Sequence, residues 1–212
     1  MECPDIFIPS CRPSLAAEAK ALLPEYAQIF DGTGMKCYSW MINACIVRSN
    51  TEVVIICNDR ARPVPGQLDK LCGLLASGYG LVGLHRFGFY GFHKDLIRRI
   101  GFFDERFILG EFEDCDILRR MREAEIAYYE SEEVSYLYVS SNFTEWNTMK
   151  AKEHFHKKWH HQEGLLARLL PEEQYDYDIG KDTGTTFLPW SASEFLDQSS
   201  SFLTVSYENR VP

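Results

Sequence analysis

Nowhere does this chain approach the roughly 20 consecutive apolar residues that a helix needs to cross a bilayer, so no membrane span is expected. No secretory leader is expected either: Met1-Glu2-Cys3-Pro4-Asp5 carries no basic n-region ahead of its short apolar run. Cysteine pairs are equally scarce. The seven cysteines stand singly at 3, 11, 37, 45, 57, 72 and 115 without a C-x-x-C, which predicts mostly reduced core thiols in a cytoplasmic protein. The sequon Asn142-Phe143-Thr144 is accordingly expected to be unused. Positive charge is in short supply, since 22 Lys and Arg against 31 Asp and Glu leave a net charge of -9. That balance argues against a general nucleic-acid binder, and any anionic ligand must be held locally. Internal repeats and a domain-splitting linker are absent from the pattern.

What is present is an ordinary globular composition, 45% hydrophobic and 25% charged, over 212 residues, enough for one domain with a sizeable core. Asp5 to Pro9 reads as a first strand, and Leu15, Ala19, Leu22 and Leu23 lie on one face of a helix ended by Pro24. Tyr26 to Phe30 follows as a second strand, closing on Asp31-Gly32-Thr33-Gly34, where glycine permits close approach of a ligand. A helix over 39–47, a strand over 52–57, a helix on Leu68, Leu71, Cys72 and Leu75, and a strand at Leu81 to Leu84 continue the alternation. Phe92, Leu96, Ile97 and Ile100 predict a helix stopped by Gly101, and Cys115, Leu118 and Met121 another. Ile126 to Tyr129 and Val134 to Val139 read as late strands. The fold class is therefore α/β, with a main body over 1–170 and a C-terminal tail over 171–212, where periodicity fades.

Two groups of acids carry the functional signal. The β-branched run Val53-Val54-Ile55-Ile56 stops on Cys57-Asn58-Asp59-Arg60, and the carboxyl edge of a buried strand is where open α/β sheets place ligands and metals. Glu111, Glu113, Asp114 and Asp116 crowd the start of a helix that continues to Arg119 and Arg120. Complementing the helix dipole accounts for two of those acids at ~0.3 to 1 kcal/mol each. Four together repel one another, and such crowding favours a carboxylate tuned as a general base. Phe87, Phe89, Tyr90 and Trp146, aromatics beside polar residues, are candidates for stacking on a ligand, although a phenylalanine-rich loop is more often core.

A string of motifs runs through these positions. Ile8-Pro9-Ser10-Cys11-Arg12-Pro13 is followed by Asn58 through Pro63-Val64-Pro65-Gly66-Gln67-Leu68. Gly101-Phe102-Phe103-Asp104-Glu105-Arg106-Phe107 precedes Glu113-Asp114-Cys115-Asp116-Ile117-Leu118-Arg119-Arg120, and His154-Phe155-His156-Lys157-Lys158-Trp159 comes last. In this order, over about residues 5 to 160, they resemble the family-2-like glycosyltransferases of the GT-A fold, a viral member being nearest in pattern. The resemblance implies a single-domain, Rossmann-like mixed central sheet flanked by helices, and a UDP-sugar donor. It also implies a glycan or glycoprotein acceptor, with glucose or rhamnose as the sugar and host cytoplasm as the location of a viral member.

On that resemblance Asp31 accepts the uracil imide N–H, or else simply forms a turn. Backbone at Pro9 and Ser10 frames the base with Asn58, and Arg12 meets a phosphate. Asp59 is the metal acid for Mn²⁺ or Mg²⁺ in a motif reduced to one carboxylate, Asn58-Asp59-Arg60. His154 or His156 joins it as a ligand, or both are surface histidines on a basic helix. Arg60 replaces part of the metal's charge or, with Tyr90, Gly91 and Asp116, meets donor or acceptor sugar. Asp114 is the catalytic base, with Glu113 in reserve. A non-catalytic sugar-nucleotide or glycan-binding module and a nucleotide-sugar hydrolase are the alternatives, which turnover with and without acceptor separates.

Overall fold

The computed structural model describes residues 3–33, 38–107 and 112–137, together with 151, 154, 155, 158 and 159. Its elements run β1 (Asp5–Ser10), α1 (Pro13–Lys20), β2 (Gln28–Asp31), α2 (Tyr38–Arg48), β3 (Val53–Cys57) and β4 (Ala61–Arg62). Then come α3 (Gln67–Ala76), β5 (Leu81–Phe87), β6 (Phe89–His93), α4 (Lys94–Ile100), α5 (Glu113–Glu123), β7 (Tyr128–Glu130) and β8 (Ser135–Tyr136). Residues 171–212, expected as a tail, lie outside the described residues, as do Cys37, Glu111, Asn142, Trp146 and His156.

Six strands form one sheet in the order β2-β1-β3-β6-β5-β7. β1 is parallel to β2 and β3, β5 is parallel to β7, and β6 runs antiparallel between β3 and β5. Every strand of this sheet but β6 therefore points its carboxyl end to the same edge. Because successive side chains of a strand alternate in direction, the runs Ile6-Phe7-Ile8 and Val53-Val54-Ile55-Ile56-Cys57 feed two cores at once. Phe7, Val54, Ile56, Tyr90 and Phe92 pack with α2, α4 and α5 through Ile42, Ile46, Leu96, Ile97 and Ile117. Ile6, Ile8, Val53, Ile55 and Cys57 pack on the other face with Ala16 and Ala19 of α1 and Leu71 and Leu75 of α3. Burying an aliphatic side chain contributes ~1.5 to 3 kcal/mol, so these paired faces hold the sheet edge rigid.

Two expectations from the sequence change. The helix expected to run to Pro24 ends at Lys20, and its buried residues are Ala16 and Ala19, while Leu22 is exposed. Tight bonds from Leu22 N to Ala19 O (3.1 Å) and Leu23 N to Lys20 O (3.0 Å) unwind the chain before the proline is reached. Phe92, expected on a helix, lies in β6, whose residues bond to strands on both sides; the i, i+4 spacing of Phe92 and Leu96 imitated a helical face. The stretch after Arg60 supplies β4, which pairs with β8. Of the cysteines, Cys45 and Cys57 are buried, but Cys3, Cys11 and Cys115 are exposed. Burial pushes the Cys57 thiol up to about 12.

Candidate functional site

The chain passes from β1 to β2 on one side and then returns to lay β3 on the other, so β1 and β3 flank the point where strand order reverses. The crevice beyond those carboxyl ends is where open α/β sheets receive ligands. Four sequence candidates lie there. Ser10 is the last residue of β1, Asp31 ends β2 in register with Ser10, and Asn58-Asp59 follow β3 directly. Asp31 is exposed, and its Oδ1 accepts the Thr33 backbone N–H at 2.9 Å. Hydrogen bonds from Thr33, side chain first and backbone second, hold its carboxyl below the usual value. Pro9 is buried within β1 opposite Phe30, leaving only backbone for any contact.

Asp59 is not the exposed strand-end acid its position suggested. Its side chain is 3% exposed and Arg12 binds it in a fork: Nη2 to Oδ1 at 2.6 Å and Nε to Oδ2 at 2.9 Å. The Ser10 hydroxyl donates to Oδ2 at 2.6 Å, and its oxygen accepts the Arg12 backbone N–H at 2.8 Å. The guanidinium of Arg12, expected on a phosphate, is thus occupied in this state by a carboxylate of the same chain. Asn58 Oδ1 accepts the Arg60 backbone N–H at 3.0 Å, turning the chain away from β3. The Arg60 guanidinium lies 4.9 Å from the centre of the Tyr136 ring, which also stacks on His85 at 4.6 Å. Burial raises the Tyr136 phenol against the pull of Arg60.

The acids of α5 divide by position. Glu113 is buried at the first turn, and Asp114 is half-buried with Oδ1 accepting the Cys115 N–H at 2.7 Å. Phe112 ahead of them has φ 68, a left-handed conformation unusual for phenylalanine, and its ring lies 5.6 Å from Phe155. Tyr38, at the start of α2, belongs to the same neighbourhood: after burial, the charge of Glu113 helps raise its phenol, while Asn58 opposes the rise.

Four sequence candidates sit in surroundings that the sequence did not suggest. Asp116, expected at a sugar, is fully buried and bound by Arg120 (2.7 Å), Lys158 (2.8 Å) and the Trp159 indole N–H (2.9 Å). Burial would raise its carboxyl, but Arg120 and then Lys158 hold it below the ordinary value. Tyr90 is buried against Phe87 and Phe92, its ring in the core and not on a sugar face, and Phe89 is buried on the opposite side of β6. Gly91 owes its size to helix packing, because a Cβ there would come within 2.8 Å of Leu71 and 3.0 Å of Ile55. His154 is not a surface histidine: it is buried, edge-on to Phe107 and directed at Asp104 (3.3 Å). His156 lies outside the described residues. Among the described residues no three His, Cys, Asp or Glu side chains converge to hold a metal ion.

Sequence reasoning missed the second half of this arrangement. Asp104 binds Arg106 (2.7 Å), His154 and Lys158 (2.9 Å), and Lys158 reaches Asp116 as well. Arg120 donates to the carbonyls of Ile100, Gly101 and Phe102 at 2.7, 3.1 and 2.9 Å. One linear signal was the helical spacing of Ala151, His154, Phe155, Lys158 and Trp159, which puts all five on one face.

No family model matches the chain, and no curated protein matches it in sequence. Its fold does have solved counterparts. Glucosyl-3-phosphoglycerate synthase from Mycobacterium tuberculosis, bound to Mn²⁺, uridine diphosphate and glucosyl-3-phosphoglycerate, superposes with a TM-score of 0.53 at 10% identity, covering 79% of this chain and 80% of that one. The same enzyme with Mn²⁺, uridine diphosphate and phosphoglyceric acid gives 0.52 at 11% identity, covering 72% and 77%. Its complex with Mg²⁺ and uridine diphosphate gives 0.51 at 11% identity, covering 79% and 80%. This likeness defines the class of fold: a mixed central sheet flanked by helices, of the GT-A glycosyltransferase type.

Proposed function

We propose that this chain is a nucleotide-sugar glycosyltransferase that moves a sugar, of glucose or rhamnose type, from a UDP-sugar donor to a hydroxyl of a glycan or glycoprotein acceptor. The observation that carries the reading is the grouping of Ser10, Arg12, Asp31 and Asp59 at the β1/β3 switch crevice of a GT-A-type sheet. The structural counterparts hold uridine diphosphate with Mn²⁺ or Mg²⁺, which supports the donor class and the metal. Viral origin and host cytoplasm follow from the motif resemblance.

Asp59 fits a divalent cation in one respect that the structure supports directly: it is a hard oxygen donor already holding a positive group with both oxygens. With one protein carboxylate, water and phosphate oxygens would fill the remaining positions of Mn²⁺ or Mg²⁺. The ion, when bound, supplies Lewis-acid stabilisation to the departing diphosphate. Asp31 takes the uracil N–H, and Arg60, beside Asn58, adds positive charge to the crevice. Asp114, half-buried at the tip of α5, removes the proton of the attacking hydroxyl, with Glu113 behind it.

A thermal-shift panel of UDP, GDP, CMP and TDP, with and without Mn²⁺, tests the donor, since a ligand bound only by the native state raises the melting point by mass action. UDP with Mn²⁺ is expected to give the largest rise; equal rises for all four nucleotides overturn the uridine assignment. UDP-glucose turnover with acceptor present, and its loss without, separates transfer from hydrolysis and from mere binding.

A further inference from the structure

Resting on the reading above, we propose that Arg12 is a partner-exchanging switch: it holds Asp59 closed to the divalent cation until the cation and a nucleoside diphosphate arrive together, and it then passes from carboxylate to phosphate. The fork on Asp59 uses both carboxylate oxygens, at 2.6 and 2.9 Å, and Ser10 donates to one of them at 2.6 Å. A divalent cation approaches a carboxylate oxygen to about 2.0 to 2.1 Å for Mg²⁺ and repels a guanidinium already seated there. Two cations therefore compete for one acid.

The two partners differ in their freedom to leave. Asp59 is 3% exposed and follows a buried strand, whereas the Arg12 side chain is 36% exposed at the junction of β1 and α1. The backbone of Arg12 stays anchored when the guanidinium moves, because its N–H is held by Ser10 Oγ at 2.8 Å and Pro13 begins α1. A released guanidinium at the mouth of the crevice has the planar fork that suits phosphate oxygens, and charge-assisted bonds of that kind are about twice as strong as neutral ones. Cation binding thus frees the group that grips the diphosphate, and the diphosphate gives that group a second home. Each ligand strengthens the other, reciprocally by thermodynamic necessity.

The test measures Mn²⁺ binding by the loss of the free-ion paramagnetic resonance signal, and UDP binding by calorimetry, in wild type, Arg12→Ala and Arg12→Lys. Arg12→Ala is expected to bind Mn²⁺ alone more tightly than wild type, by a factor in the roughly 5- to 150-fold range of allosteric couplings, and to bind UDP in saturating Mn²⁺ more weakly. Arg12→Lys, which keeps the charge but loses the fork, falls between them. Its role is to keep the test decisive if the alanine variant does not fold. In the absence of UDP, Mn²⁺ should also raise the melting point of the variants more than that of wild type. Mn²⁺ affinity that is unchanged or weaker in both variants, with UDP still bound by wild type, overturns the switch alone. Failure of wild type to bind UDP in Mn²⁺ overturns the switch and the donor assignment together.

Discussion

Lys158 places its ammonium 2.8 Å from Asp116 and, with the same three protons, 2.9 Å from Asp104. One buried cation thereby ties the helix that carries Glu113 and Asp114 to the segment that follows α4. The two carboxylates repel each other across it, since Asp104 acts to raise Asp116. Burial would raise Asp104 as well, yet Lys158, Arg106 and then His154 hold it well below its ordinary 3.8.

Lys158→Met is expected to destabilise the protein by about 3 to 5 kcal/mol, the usual loss when one partner of a buried ion pair is removed. Its pH dependence should also weaken. In wild type the folded values of Asp104 and Asp116 are depressed, so their contribution is present above the unfolded value near 3.8 and is lost as pH falls through the folded ones. In the variant Arg106 and Arg120 still hold the two acids down, but without Lys158 their folded values rise toward the ordinary 3.8, so less stability should be lost as pH falls through about 4. Urea unfolding of both proteins as pH falls through that value decides the point, and parallel profiles would count against Lys158 as the bridge.

Asp114→Asn keeps the size and the hydrogen-bond acceptor that meets the Cys115 N–H at 2.7 Å, but it cannot take a proton. Transfer is expected to fall by ~10² to 10⁴ with UDP affinity unchanged. Steady-state rates beside calorimetric titration check it. Loss of UDP binding together with activity would move Asp114 into the donor site, and a retained anomeric configuration would withdraw the base role.

Asp31→Ala should narrow the difference between UDP and the other nucleotides in the melting-point panel. Its carboxylate, exposed at the end of β2 and bonded within its own turn to Thr33, can be removed without disturbing the core. An undiminished preference for UDP would leave Asp31 as a turn residue.

Gly91→Ala separates packing from ligand contact. The added methyl meets the Leu71 side chain at 2.8 Å and that of Ile55 at 3.0 Å, so those side chains must give way and stability should drop by ~1 to 3 kcal/mol. Nucleotide affinity of the folded variant should equal that of wild type. A selective loss of sugar-nucleotide binding at unchanged melting temperature would return Gly91 to the donor site.

The linear pattern alone determined the alternation of elements, the strand that ends at Asp59 and the helix that begins at Glu113. These follow from local rules: β-branched runs extend, i, i+3, i+4 spacing coils, and both signals lie within about ten residues of chain. It also placed Asp31, Ser10 and Asn58 at strand ends, because each follows an apolar run that a parallel sheet buries. Only the tertiary structure decided which polar groups are free to act. Asp59, Asp116 and His154 look equivalent to ligands along the chain, yet each is buried and carries a partner distant in sequence: Arg12, Lys158 and Asp104. A charge taken out of water must be neutralised by whatever the fold brings within about 3 Å, and that choice is non-local. The same holds for β6, an aromatic segment whose strand conformation comes from the two neighbours that satisfy its backbone, β3 and β5.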